Sequence, residues 1–145
     1  MKNKILILLY IVFLYESCMS QENQKFNNDE KYVIIFANGF LNDKIDLLFN
    51  DTYVVRSTLL TSDKSDGITN LNIKVSVRKN KYIVLNSLVK KKIFIKSKKR
   101  SIELKLFYQN IWYSSKAIHG EDKYVIIDVI SGVKFTQQFD KPFFD

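Results

Sequence analysis

From residue 31 onward, apolar and polar side chains alternate along most of the chain. In NIKVSVRK, Ile73, Val75 and Val77 alternate with Lys74, Ser76 and Arg78; in SIELKLF, Ile102, Leu104 and Leu106 alternate with Ser101, Glu103 and Lys105. In VKFTQQF, Val133, Phe135, Gln137 and Phe139 fall on one side. A period of two is the signature of strands with one wet face, because successive side chains of an extended backbone point in opposite directions. KYVIIFA (31–37) and KYVIIDVI (123–130) are almost unbroken Val/Ile-rich runs and predict central strands buried on both sides or nearly so. Further strands are predicted at 44–49, 52–56, 81–86, 91–96 and 110–116. The only hint of a helical stripe is FLNDKIDLLF (40–49), which is read as strand.

Turn-forming clusters separate these runs: Asn38-Gly39, Asn50-Asp51, Ser62 to Gly67, Lys79-Asn80, Ser97 to Arg100 and His119 to Asp122. They recur about every ten residues, a rhythm that suits short antiparallel strands in a sandwich or barrel. The expectation is an all-β antiparallel sandwich of seven to nine strands, immunoglobulin-like or prealbumin-like in general architecture, occupying residues 31–145 as one domain. Strand order is not legible at this level.

The N-terminus has a different pattern. Lys2 and Lys4 precede an uninterrupted apolar stretch from Ile5 to Tyr15, and a polar run with small residues follows. That is the layout of a secretory signal, and its apolar body is too short to span a bilayer. Residues 1–20 are therefore expected to be a signal segment and residues 21–30 a polar tether. Cleavage after Ser20 would discard Cys18, the chain's one cysteine, and leave a freely secreted protein. In the other reading Ser17-Cys18 resembles a bacterial lipoprotein box, although Tyr15 and Glu16 depart from its strict form. That resemblance implies acylation of Cys18 and a lipid-anchored protein. Both readings place the product in the periplasm, the outer envelope or the medium. Neither leaves a cysteine after residue 20, so the fold has no disulfide and must rest on its core.

The chain carries 23 basic and 15 acidic side chains, a net +8. Residues 67–118 hold thirteen of the basic groups and one of the acidic groups. The densest run is KKKIFIKSKKR (90–100), with seven cations in eleven residues: Lys90, Lys91, Lys92, Lys96, Lys98, Lys99 and Arg100. Such a run can bind a polyanion, such as an acidic polysaccharide or lipid headgroups. It can equally be the lysine-lined edge and tip of a hairpin, guarding against stray strand pairing. Nucleic acid is disfavoured, both by export and by the single arginine in the run.

The residues exclude much enzymology. There is one histidine, His119, in a Gly-Glu-Asp turn, and no thiol after residue 20. Cys–His dyads and multi-ligand zinc sites are ruled out, and His119 is read as a solvated loop residue. Asp43, Asp46 and Asp51 remain as a carboxylate set able to do acid–base chemistry if they converged. SDKSDGITN (62–70) imitates a calcium loop, but with Gly67 at position six, position three is Lys64, a cation where a ligand belongs. Trp112-Tyr113 should send one ring to the core and the other to solvent, where it could stack on a sugar or anchor a partner. Phe143 and Phe144 could close one end of the sandwich or supply an apolar contact for a partner. The functional expectation is a non-enzymatic envelope protein without cofactor or metal. It would bind a protein partner or an anionic surface polymer, with membrane attachment only through Cys18. The alternative is a structural or accessory envelope subunit without a small ligand.

Overall fold

A computed structural model describes residues 30–96, 101–119 and 123–142. Cys18, the signal and tether residues before Glu30, Lys98, Lys99, Arg100, Phe143 and Phe144 lie outside the described residues. The described chain is all-β. Its strands are β1 (Glu30–Phe36), β2 (Leu41–Phe49), β3 (Thr52–Thr61), β4 (Asn72–Arg78), β5 (Lys81–Asn86), β6 (Lys91–Lys96), β7 (Leu104–Tyr108), β8 (Ile111–Ser114), β9 (Tyr124–Asp128) and β10 (Lys134–Gln138). Every predicted strand is present, including the stretch at 40–49. The ten described strands exceed the seven to nine expected, because each short alternating run between turns forms a strand of its own.

The strands make two sheets. One has six strands in the order β10-β9-β1-β4-β5-β6, the other four in the order β3-β2-β7-β8. The chain passes from the larger sheet to the smaller after β1, returns after β3, leaves again after β6 and returns after β8. One pairing departs from the antiparallel expectation: β1 and β9 run parallel, with Val33 opposite Tyr124 and Phe36 opposite Ile127. A parallel pair needs a long connection between its members, and the whole of β2–β8 supplies it.

The core lies between the sheets. Tyr32, Ile34 and Phe36 of β1, Ile73 and Val75 of β4, Val84 of β5, and Val125 and Ile127 of β9 face Ile45, Leu47 and Phe49 of β2, and Leu104 and Leu106 of β7. Aromatic edges bridge the layers. Phe40 meets both Phe36 and Tyr108 at 6.0 Å between ring centroids, and Phe49 meets Tyr82 at 5.2 Å, all near the edge-to-face geometry that ring quadrupoles favour. The two Val/Ile runs are indeed interior strands of their sheet, but only alternate residues are fully buried. Val33, Ile35, Tyr124 and Ile126 are half-covered on the outer face. Hydrophobicity on both sides of a strand therefore marks a central position here, with no second layer over it among the described residues.

Turn chemistry fixes the register. Three hairpins close with two-residue loops, Asn50-Asp51, Lys79-Asn80 and Gln109-Asn110, and all six residues have positive φ. Two successive left-handed residues make the turn whose twist matches a hairpin, and Asn and Asp tolerate that region better than other side chains. The edge strand β3 is bulged. Arg56 and Ser57 together oppose Asp46, and Asp46 Oδ1 accepts the Ser57 N–H at 2.5 Å. A bulge twists an exposed edge away from partners.

Candidate functional site

The β4–β5–β6 meander carries the basic segment and orders it into a grid. Directly opposed residues of neighbouring strands share a face. On the outer face of the larger sheet, Arg78 stands opposite Lys81 and Lys81 opposite Lys96. The next row is Ser76, Ile83 and Phe94; the row after that is Lys74, Leu85 and Lys92. Strands lie about 4.8 Å apart, and alternate residues along a strand about 6.8 Å. Two cation-bearing rows thus flank an uncharged row whose outermost member, Phe94, is 67% exposed. No acidic residue occurs anywhere in β4, β5 or β6. Like charges directly opposed across a sheet repel, so the Lys81–Lys96 pair at the edge of that row is held at an electrostatic cost.

The predicted set divides on this framework. Lys92 and Lys96 lie in the grid. Lys91 opposes Asn86 on the other side of the sheet, and Lys90 belongs to the turn between β5 and β6; both are exposed. β6 is also an edge strand, so its lysines guard an edge as well as pattern a face. Attention to the run of consecutive cations missed Lys74, Arg78 and Lys81, which the structure adds. The signal that finds them is the alternation itself: Lys74, Ser76 and Arg78 are the polar half of NIKVSVRK, and the two-residue turn at 79–80 and the four-residue turn at 87–90 carry that phase into β5 and β6.

The β5–β6 turn, residues 87–90, is held from within. Asn86 is buried; its Nδ2 donates to Val54 O in the facing sheet at 3.1 Å, and its Oδ1 accepts the Leu88 and Val89 N–H groups at 3.0 and 3.4 Å. Ser87 donates its N–H to Asn72 O and accepts the Asn72 N–H on its Oγ, joining β5 to β4 at the same place. Lys90 closes the turn with φ 50°. The result presents Leu88, 39% exposed, and Val89, 65% exposed, at the tip.

The carboxylates considered for acid–base chemistry have separate partners. Asp43 Oδ2 accepts the Leu41 N–H at 2.8 Å, Asp46 supports the β3 bulge, and Asp51 pairs with Lys105 at 2.7 Å. The Asp51 hydrogen bond, its charge, and then Glu103 hold the Lys105 ammonium above the usual lysine range. In the 62–70 loop, Asp63 Oδ1 accepts both the backbone and the hydroxyl of Ser65, and Asp66 Oδ1 accepts the Ile68 N–H. Those two Ser65 bonds hold the Asp63 carboxyl below its ordinary range. The acidic side chains shape the loop, and among the described residues no cluster of three metal-ligating side chains forms. His119 is exposed, beside the bridge between Ile102 and Ile118.

Trp112 and Tyr113 divide as the alternation predicts. Tyr113 packs against the core, and Trp112 is 43% exposed on the outer face of the smaller sheet. There it joins Phe107 at 5.1 Å and Tyr53 at 6.4 Å, with the Arg56 guanidinium 4.0 Å over the Tyr53 ring. The rings are tilted against one another by 48° and 63°, so they form a cluster without a flat platform. Comparison with protein-family models, curated proteins and solved structures finds no match, and the case for function therefore rests on the chain's own geometry.

Proposed function

We propose that this is an exported, non-enzymatic β-sandwich protein of the cell envelope that binds an anionic surface polymer through the outer face of β4–β6. The observation that carries the reading is the Arg78–Lys81–Lys96 row, three cations directly opposed across adjacent strands. An edge defence would need lysine on β6 alone. Here the cations continue inward to β5 and β4, where no stray strand can pair. Repulsion between Lys81 and Lys96 is relieved when anions settle over the row, so a polymer carrying closely spaced charges gains more than a single anion does. The export half of the reading rests on the leader, whose Cys18 is either discarded or acylated. We also read the sandwich as immunoglobulin-like or prealbumin-like in type; two sheets joined by repeated crossovers support that class.

The test is binding of inorganic polyphosphate, as a simple polyanion, to the full chain. Affinity should fall steeply with added salt. Neutralising Lys81 and Lys96 to Gln should weaken it at least tenfold at low salt, while the aromatic-cluster variant Trp112→Phe leaves it unchanged. Binding indifferent to the lysine substitutions would overturn the reading and favour an accessory envelope subunit.

A further inference from the structure

The tip of the β5–β6 hairpin is unusual for a turn. Positions that ordinarily carry Gly, Asn, Asp or Ser hold Leu88 and Val89, both exposed. The turn does not need small or polar residues, because the buried Asn86 supplies its hydrogen bonds from below. Immediately behind the aliphatic tip come three consecutive exposed cations, Lys90, Lys91 and Lys92. The tip is hydrogen-bonded from within, aliphatic and collared by positive charge.

We propose that this hairpin tip is a membrane-surface anchor: Leu88 and Val89 enter the outer layer of an acidic phospholipid bilayer while Lys90, Lys91 and Lys92 sit at the level of its phosphates. The inference rests on the anionic-surface reading above and specifies which surface. Charge complementarity selects an anionic partner, since β5, the turn and β6 contain no acidic residue. The two aliphatic side chains select lipid over a hydrated polysaccharide, which gives them nothing apolar to enter. Each basic residue close to an acidic membrane adds attraction that decays within a Debye length. Lys81 and Lys96 lie at the far end of the hairpin, five residues from Asn86 and Lys91, about 17 Å along the strands. They therefore matter less for vesicles than for soluble polyphosphate.

The experiment is sedimentation of the full chain with vesicles of phosphatidylglycerol mixed with phosphatidylcholine, beside vesicles of phosphatidylcholine alone. The wild type should bind the acidic vesicles and not the neutral ones. Leu88→Ser with Val89→Ser should weaken vesicle binding about tenfold or more, as expected for two aliphatic side chains that no longer leave water. Polyphosphate binding should be unchanged in that pair. In a Trp112→Phe background, the single tryptophan of Val89→Trp should be quenched by brominated lipid in acidic vesicles. Vesicle binding by the double-serine pair equal to wild type, or an unquenched tryptophan, overturns the anchor. Polyphosphate binding without vesicle binding also overturns the anchor and leaves the polymer reading standing. Failure to bind either probe overturns both.

Discussion

Lys81 stands between Arg78 and Lys96, each directly opposite it on a neighbouring strand. Removing its charge relieves its repulsion with Lys96. Lys81→Gln should therefore raise stability to urea by about 0.2–1 kcal/mol at low salt, with the gain shrinking as salt screens the row. The same substitution should weaken polyanion binding, so stability and affinity should move in opposite directions. A second residue-scale expectation concerns alkali. Burial pushes the phenols of Tyr82 and Tyr108 up, Tyr108 further through Asp43 and Tyr113, and Asp51 raises the Lys105 ammonium. For all three groups the folded state holds its proton more tightly than the unfolded state. Their contribution is complete below about pH 10 and is lost as pH climbs through the raised folded values. Urea midpoints measured on either side of pH 10 should show the decline, and Tyr82→Phe should make it shallower.

At the scale of the element, turns decide where strands begin and end. The Lys79-Asn80 loop places both residues at positive φ, 44° and 32°. Replacing the pair by Asn-Gly, the sequence such turns prefer, should stabilise the protein by about 1 kcal/mol, since a left-handed non-glycine residue costs about 1–2 kcal/mol. A thermal scan checks this. Asn86→Ala removes a buried side chain that serves two sheets and one turn. It should cost about 1–3 kcal/mol, because the Val54 carbonyl and the turn N–H groups lose their partner. An unchanged denaturation midpoint would show that water replaces it. Much at this scale was legible in the residues. Alternation located the strands, and Asn50-Asp51 and Lys79-Asn80 announced two of the three tight turns. Gln109-Asn110 did not stand out because Gln is not a usual turn residue, and its conformation is imposed by the pairing of Tyr108 with Ile111. The aliphatic tip at Leu88-Val89 was hidden for a related reason: Asn86 does the work that composition normally reveals.

Over the whole molecule, long-range pairing was the part that residue patterns did not disclose. Alternation is a local property and says which face is wet, whereas strand order depends on which wet faces become neighbours. The candidate site shows the same division. Lys92 and Lys96 were visible as part of a basic run, but Lys74, Arg78 and Lys81 became partners only once β4, β5 and β6 were in register. Core positions were the easier inference. Phe40, fully buried between Phe36 and Tyr108, should cost about 3–5 kcal/mol on truncation to Ala, measured by chemical denaturation.

The parallel pairing of β1 with β9 sets a timetable. Val33 finds Tyr124 about 90 residues further along the chain, whereas the meander β4–β6 can close from neighbours only a few residues away. During synthesis β1 emerges first and acquires its second neighbour nearly last. One edge of β1 stays uncovered until the β9–β10 hairpin arrives, and loop closure over that span is the slow step that topology demands.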